Sequence, residues 1–167
     1  FQTTEADNLK RKLLPVLKHV DHKYLQAIDI AYKKNTSNAE NTLLEVLSTD
    51  LFVKEMDYKG SHLGGSNKPD AFVYTSKVGW ILDSKAYSDG FHVTAANTDA
   101  MGRYIHQYRD HKDKSTWWKK FPNNLPITYF AYISSFYNGN YQSQLKDFED
   151  RNKMKGGLIE ISKLILL

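Results

Sequence analysis

Two acidic residues and one lysine stand at a spacing that could support metal-assisted chemistry. The chain contains Pro69-Asp70 and, further along, Asp83-Ser84-Lys85. On a β-strand the side chains of Asp83 and Lys85 point to the same face, while Ser84 points to the other. A fold that brings Asp70 beside this strand therefore gathers two carboxylates and one ammonium group.

The residues between these motifs predict how they meet. Two strand-like runs, 71–75 and 80–86, are joined by a short polar segment that is typical of a four-residue hairpin loop. In such a hairpin Asp70 lies opposite Lys85 and diagonal to Asp83, with Cα atoms about 7–8 Å apart. We therefore expect the three side chains to converge.

The chemistry that such a group supports is hydrolysis of a phosphodiester. Paired carboxylates suit Mg²⁺, which prefers oxygen ligands and can accept a phosphate oxygen. A bound cation of this kind polarises a phosphoryl group and lowers the pKa of bound water. Lys85 could orient or deprotonate that water, or stabilise charge in the transition state. The alternative is a surface salt-bridge cluster. The apolar run Trp80-Ile81-Leu82 instead favours a buried strand, where charged side chains are energetically costly and are usually kept for a function.

Apolar periodicity predicts the elements that position this group. Before the hairpin we expect helices over 6–33, broken near Pro15 and Asp21, and over 39–53, then a loop over 59–68. The buried stripe of the second helix is expected to contain Leu43, Leu44, Val46, Leu47, Leu51 and Phe52. After the hairpin we expect a helix at 96–109, a strand at 127–134, a helix at 141–153, a turn at Gly156-Gly157 and a last short strand within 158–167. This order predicts a mixed α/β layer architecture.

Composition narrows the functional class. The 167 residues carry 23 Lys and Arg against 19 Asp and Glu, and the formal charge of +4 permits a polyanionic partner without requiring one. The absence of cysteine excludes a disulfide scaffold, a Cys-ligated zinc site and thiol catalysis. No apolar run approaches the ~20 residues of a membrane span. The chain begins at Phe1 without Met and ends at Leu167 in an apolar run, so we expect that neither end is a natural terminus.

Longer motifs surround the acidic pair. They lie at 57–70 (DYKGSHLGGSNKPD), 81–90 (ILDSKAYSDG), 98–104, 117–118 and 137–145. Together they resemble the cleavage domain of FokI/StsI-type IIS restriction endonucleases, over about residues 21–167. The resemblance implies an α/β fold with the PD-(D/E)xK restriction-endonuclease-like core, a mixed central β-sheet flanked by helices. It also implies that 1–167 is a single nuclease domain, without an N-terminal DNA-recognition domain or a short C-terminal tail.

The resemblance implies a role for each residue of the cluster. Asp70 and Asp83 would hold Mg²⁺, for which Mn²⁺ can substitute, with the backbone carbonyl of Ser84 as a further ligand. Lys85 would be the catalytic lysine. A glutamate on the helix before the hairpin often faces the metal in this fold, and Glu45 occupies that position. The alternative for Glu45 is an exposed glutamate on a helix surface.

Three neighbouring residues carry no predicted chemistry. Ala71 and Ser135 stand where the family usually has glycine, and neither replaces a ligand residue. His62 is expected to pack within its loop rather than act as a base. The six histidines form no convincing metal set.

Two further groups of residues could bind partners. Asp99 and Arg103 stand four apart on a helix, where an isolated pair forms a weak intrahelical salt bridge. The resemblance implies instead that they pair across a twofold dimer interface. Polar residues near the acidic cluster could bind DNA phosphates, although ordinary loop polarity explains them equally well: Lys59, Ser66, Lys68 and Ser88.

The function implied by the resemblance is cleavage of double-stranded DNA in the cytoplasm of a bacterium. The domain would have little sequence preference of its own, because a separate N-terminal recognition domain supplies it. It would cut both strands as a weak homodimer formed through the 96–109 helix. The alternatives are a monomeric nickase or structure-specific nuclease of the same fold, and a non-catalytic DNA-binding or dimerising module.

Overall fold

A five-stranded mixed β-sheet forms the centre of the protein. The computed structural model describes residues 5–15, 22–111, 116–139 and 141–166. The strands are β1 (Lys59–His62), β2 (Ala71–Tyr74), β3 (Val78–Ser84), β4 (Ile127–Ser134) and β5 (Gly156–Glu160), side by side in that order. The first three form an antiparallel meander, and β4 and β5 join it in parallel pairs.

Helices cover both faces of the sheet. They are α1 (Glu5–Leu13), α2 (Leu25–Ala31), α3 (Asn38–Asp50), α4 (Ala95–Asp110), α5 (Tyr141–Asn152) and α6 (Ile161–Leu166), with 3₁₀ helices at His22–Tyr24 and Trp117–Lys120 and a π-helical segment at Leu51–Glu55. The predicted α/β fold with a mixed sheet flanked by helices is confirmed. None of the helices in the described ranges combines the length and the apolar character that crossing a membrane requires.

Side-chain alternation along the strands divides the core in two. Ala71 and Val73 of β2 lie in the apolar cluster formed with α1, α2, α3 and α6. Phe72, which stands between them, points to the other face and joins an aromatic cluster with α4 and α5. There its ring centroid lies 4.8 Å from those of Tyr108 and Phe121. The helix layer on each side therefore rests on its own set of strand side chains.

The start of α3 is fixed by a capping box. The Ser37 side chain accepts a hydrogen bond from the Glu40 backbone N–H, and the Glu40 carboxylate accepts one from the Ser37 N–H. This reciprocal pair satisfies two backbone donors that a helix start leaves open. It also sets where α3 begins, and so the position of Glu45 two turns along over the sheet.

Two glycine-containing segments differ from the prediction. Residues 59–62 form the edge strand β1 rather than part of a loop, and Gly156-Gly157 begin β5 rather than form a turn. In both strands a glycine permits close backbone approach: a Cβ on Gly60 would overlap the Phe72 carbonyl oxygen, and one on Gly156 would overlap that of Phe130. Glycines that look like turn signals therefore belong to paired strands here.

Other differences concern short apolar runs. Residues 161–166, predicted to continue a strand, form α6, because a short apolar run does not by itself distinguish helix from strand. Leu43, predicted to be buried, is exposed, whereas Ser48 is buried and donates a hydrogen bond to the Leu44 carbonyl. α1 ends at Leu13, and the predicted break near Asp21 lies outside the described residues.

Candidate active site

The β2–β3 hairpin brings the two acidic motifs together, in a register different from the predicted one. Ala71 pairs with Leu82, so Asp70 lies level with Asp83 and not with Lys85. The turn is two residues tighter than expected: the Thr75 backbone N–H donates a hydrogen bond to the Val78 carbonyl, and the Thr75 hydroxyl accepts hydrogen bonds from the backbone N–H groups of Lys77 and Val78. The predicted opposition of Asp70 and Lys85 is wrong, although the predicted convergence is present.

Asp70, Asp83 and Lys85 meet at the end of β3. Asp70 Oδ2 accepts a hydrogen bond of 2.7 Å from the Ser84 backbone N–H, and the Asp70 and Asp83 side chains are near enough to share a hydrogen bond when one of them is protonated. Lys85 Nζ lies 3.4 Å from Asp83 Oδ2. The backbone N–H of Lys85 donates to the Ile133 carbonyl at 2.8 Å, which anchors this end of β3 to β4.

Burial makes the charges of this group costly. It raises the pKa of Asp70, and the nearby charge of Glu45 raises it further. Burial and the charge of Asp70 raise the pKa of Asp83 well above its usual value. Burial would lower the pKa of Lys85, but Asp83 and Asp70 outweigh it and leave that pKa raised, so Lys85 is a cation. One ammonium group therefore faces two carboxylates that repel each other.

Glu45 lies at the same cavity as Asp70. This cavity has a volume of about 300 Å³ and is lined by Thr36, Asn41, Glu45, Asp70, Ser84, Lys85, Ala86 and Tyr87. Glu45 Oε1 lies 2.9 Å from His62 Nε2. Glu45 therefore occupies the position predicted for it, and His62, expected to pack within a loop, is instead a β1 residue in contact with a carboxylate.

The oxygen-rich end of β3 fits a divalent cation. Within the described ranges, no set of three or more His, Asp or Glu side chains is gathered closely enough to hold an ion unaided. The buried carboxylate of Asp83 and the half-buried carboxylate of Asp70 nevertheless need positive charge beside them, because a like-charged pair is unstable where it is shielded from water. Mg²⁺ commonly binds through one or two carboxylates and keeps several waters. The donor set of Asp70 and Asp83, with the Ser84 backbone beside them, suits that ion.

Two hydroxyl groups at the end of β4 hold the segment that follows β3. Ser134 Oγ donates a 2.7 Å hydrogen bond to the Lys85 carbonyl, and Ser135 Oγ donates one of 2.5 Å to the Tyr87 carbonyl. Sequence reasoning noted Ser135 only as a departure from glycine. The indication in the sequence was a hydroxyl-bearing residue at the end of a strand that was expected to be buried. Its partner, the Tyr87 carbonyl, could be identified only once the pairing of β3 with β4 was known.

Tyr104 is a second residue that sequence reasoning missed. It lies on α4, and its pKa is raised by burial first and then by the charge of Asp83, with Lys85 acting in the opposite direction. The hydroxyl of Tyr104 therefore interacts electrostatically with Asp83 and Lys85, from the helix layer on the opposite side of the sheet from α3. Only its helical spacing from the apolar residues Met101 and Tyr108, three and four positions away, could have drawn attention to it.

The residues predicted to contact DNA are spread more widely than expected. Ser66 and Lys68 lie in the loop between β1 and β2, which the hydrogen bond from the Leu63 N–H to the Asp70 carbonyl closes at the site. Ser88 lies in the segment after β3. Lys59 begins β1 opposite Tyr74, at the end of the hairpin far from Asp70, and lines a different cavity.

Asp99 and Arg103 are both exposed on α4. They line a groove of about 350 Å³ between α4 and α5, together with Gly102 and Arg151. No ion pair joins Asp99 to Arg103, and neither pairs with another residue in the described part of the chain. The intrahelical salt bridge considered from the sequence is therefore not formed.

Comparisons with known proteins agree with this geometry. Residues 3–167 match the family described as the FokI cleavage domain. The chain is 48% identical to the type II restriction enzyme StsI of Streptococcus sanguinis and 31% identical to FokI of Planomicrobium okeanokoites, over 100% and 98% of its own length. It spans only 28% and 29% of those two relatives.

Solved structures give the same result. The structure of FokI bound to DNA superposes with a TM-score of 0.88 at 30% identity, covering 99% of this chain and 30% of that one. A second structure of FokI superposes with a TM-score of 0.89 at 31% identity, covering 99% of this chain and 30% of that one. The predicted PD-(D/E)xK fold is thereby confirmed. A family match over nearly the whole chain, two relatives and a shared fold lead to one conclusion: this chain belongs to the FokI cleavage-domain family of type II restriction enzymes.

Proposed function

We propose that this domain hydrolyses phosphodiester bonds of double-stranded DNA with Mg²⁺, and with Mn²⁺ as a substitute, as the cleavage half of a bacterial, cytoplasmic type IIS restriction enzyme. The observation that carries the proposal is the close approach of two carboxylates, the buried Asp83 and the half-buried Asp70, beside the cation Lys85. Family membership supports it, as does the DNA bound in the related FokI structure.

Each residue of the group has a proposed part. Asp70, Asp83 and the Ser84 carbonyl hold the metal, and Glu45 completes the set from α3. The bound metal supplies Lewis-acid activation of the scissile phosphate and of water. Lys85, whose raised pKa keeps it charged, is better suited to orient the water and stabilise the developing negative charge than to remove a proton.

DNA positioning is proposed for residues beside the cavity. Ser66, Lys68 and Ser88 can contact phosphates, which fix a duplex without reading its sequence. Lys59 stands at the other end of β1, far from Asp70, so it can contact only a phosphate more distant from the acidic group. Little intrinsic specificity follows. The chain spans less than a third of its two relatives, which leaves ample length for an N-terminal recognition domain in a full-length protein.

Cutting of both strands is proposed to require a weak homodimer through α4. Asp99 and Arg103 are exposed and unpaired with each other, and a twofold axis through the helix brings Asp99 of one copy to Arg103 of the other. The second candidate is a monomeric nickase, which is favoured because the described residues form one cavity beside the acidic group, and one such site can act on one strand at a time.

The test is cleavage of supercoiled plasmid with Mg²⁺, beside Asp83→Ala. We expect linear product from the wild type, at a rate that rises more steeply than protein concentration, and none from the variant. Nicking in proportion to concentration would favour the monomeric nickase. No cleavage by either protein, with plasmid still retarded on a gel, would overturn the proposal and leave a DNA-binding module.

A further inference from the structure

The edge strand β1 directs His62 toward α3. His62 pairs with Ala71, and residues directly opposite each other on antiparallel strands point to the same face of the sheet. Ala71 is buried in the cluster that lies beneath α2 and α3. The imidazole of His62 therefore extends toward the layer that carries Glu45, and away from the aromatic cluster under α4.

The contact that results is short and largely buried. His62 Nε2 lies 2.9 Å from Glu45 Oε1, and the two side chains are only 23% and 19% exposed. Gly64, whose φ is +61°, leaves room for the ring, since a Cβ at that position would lie 3.4 Å from His62 Cε1. The Leu63 N–H donates to the Asp70 carbonyl at 2.8 Å, so the residue after His62 is tied directly to the acidic pair.

This arrangement places a support behind Glu45. The imidazole ring contacts one oxygen of the Glu45 carboxylate. The Glu45 side chain also lines the cavity that contains Asp70, and its charge raises the pKa of Asp70. A glutamate on a helix surface has several free torsions, which must be ordered before it can bind an ion. A hydrogen-bonding partner that fixes the carboxylate beforehand removes part of that cost.

We propose that His62 is a positioning residue that orders the Glu45 carboxylate at the wall of the cavity it shares with Asp70, from which Glu45 supplies a third oxygen ligand once a divalent cation is bound. The inference rests on the proposed function, because it assigns the support of that same metal site. It gives β1 a role in the site that the acidic motifs alone do not indicate.

The test is Mn²⁺ binding to the full chain without DNA, measured by calorimetry. The variants are His62→Ala, His62→Gln, Glu45→Gln and the double variant Glu45→Gln/His62→Ala. His106→Ala is the matched control, because His106 also contacts a carboxylate, that of Asp110 on α4. We expect His62→Ala to weaken Mn²⁺ binding about 10–100-fold, the range typical for loss of a group that orients a metal ligand.

Two further results are expected if His62 acts through Glu45. The double variant should bind Mn²⁺ no more weakly than Glu45→Gln alone, because the two effects would not add. His62→Gln, whose amide can still donate to a carboxylate, should recover part of the affinity, and His106→Ala should bind as the wild type does. Additive losses, or unchanged or tighter binding by His62→Ala, would overturn the inference.

The plasmid assay keeps the two proposals apart. A wild type that cuts DNA while His62→Ala binds Mn²⁺ normally would overturn the positioning role and leave the nuclease. A wild type that binds Mn²⁺ with the expected dependence on His62 and Glu45, yet cuts no DNA, would support the positioning role and overturn the nuclease. Absence of Mn²⁺ binding by the wild type would overturn both.

Discussion

At the scale of single residues, the acidic pair is held where its own charge is unfavourable. Asp83 is 7% exposed, contacts Asp70 and has one cation, Lys85, at 3.4 Å. Such an arrangement lowers the stability of the metal-free protein and is retained where function needs it. The excess negative charge is what a divalent cation would neutralise.

Asp83→Asn should therefore stabilise the metal-free protein. The pKa of Asp83 is higher in the folded state than the ordinary value of 3.8, so between those two values the folded state binds more protons than the unfolded state. Stability contributed by that proton is present at low pH and is lost as pH rises through the folded pKa. We expect the variant to be more stable by about 1–2 kcal/mol at pH 8 and by less at pH 4.5.

The measurement is denaturant unfolding with EDTA at both pH values. Asp147→Asn is the control, because Asp147 is an exposed carboxylate whose ion pair with Arg151 is also exposed. It should change stability by no more than about 0.5 kcal/mol. Adding Mg²⁺ should reduce the difference in unfolding free energy between Asp83→Asn and the wild type, because the ion would stabilise only the wild type. A variant less stable than the wild type at pH 8 would contradict the account of Asp83 as a strained carboxylate.

The sequence predicted which residues form the acidic group better than it predicted their geometry. The spacing of Asp70, Asp83 and Lys85 indicated that they would meet, because alternation on a strand and one hairpin require it. The register was wrong because the turn length depends on hydrogen bonds of Thr75 that residue types alone do not specify. His62 was not recognised, because its partner depends on the pairing of β1.

At the scale of elements, the edge strand β1 connects the hairpin to the carboxylate on α3. It is short, its side chains are at most half-buried, and β2 is the only strand of the described residues that pairs with it. Gly60 makes that pairing possible, since its φ is +133° and a Cβ there would lie 2.1 Å from the Phe72 carbonyl oxygen. The same glycine hid the strand from sequence analysis, because glycine in a polar segment normally indicates a loop.

Gly60→Ala should disrupt β1. The added Cβ would overlap the Phe72 carbonyl and be within 2.7 Å of the Val73 Cα, and the positive φ disfavours any side chain. We expect a loss of about 1–3 kcal/mol in the free energy of unfolding, together with weaker Mn²⁺ binding because His62 would move with the strand.

Gly157→Ala is the matched control on the other edge strand. No atom lies within 4 Å of the Cβ position at Gly157 in β5, so this variant should change stability by no more than about 0.5 kcal/mol. Both variants can be compared by urea unfolding and by Mn²⁺ calorimetry. Equal effects of the two substitutions would show that the close approach at Gly60 is not what holds β1.

At the scale of the whole molecule, the acidic cavity lies at the end of β3, beside α3. The two strands of a duplex run in opposite directions and are related by a twofold axis, so one copy of the domain would present its acidic site to one strand. Two copies related by the same kind of axis would present one site to each strand. In the proposed dimer, the exposed Asp99 and Arg103 on α4 would give the two copies a self-complementary contact.

Charge reversal on α4 tests this arrangement with the acidic site intact. In a twofold contact, Asp99→Arg places arginines opposite arginines, and Arg103→Asp places aspartates opposite aspartates, so each variant alone should lose at least tenfold in plasmid linearisation. An equal mixture of the two should recover linearisation, because in the mixed dimer each arginine again faces an aspartate across the axis.

The mixture experiment separates dimerisation from damage to the site. A variant whose cavity had been distorted could not be rescued by a second defective protein, so recovery of double-strand cleavage requires that the two copies meet through α4. Mn²⁺ binding by each variant should equal that of the wild type, since α4 supplies none of the proposed ligands. If both variants linearise plasmid as fast as the wild type, the twofold contact through α4 would be wrong, and the acidic site would be that of a nuclease acting on one strand at a time.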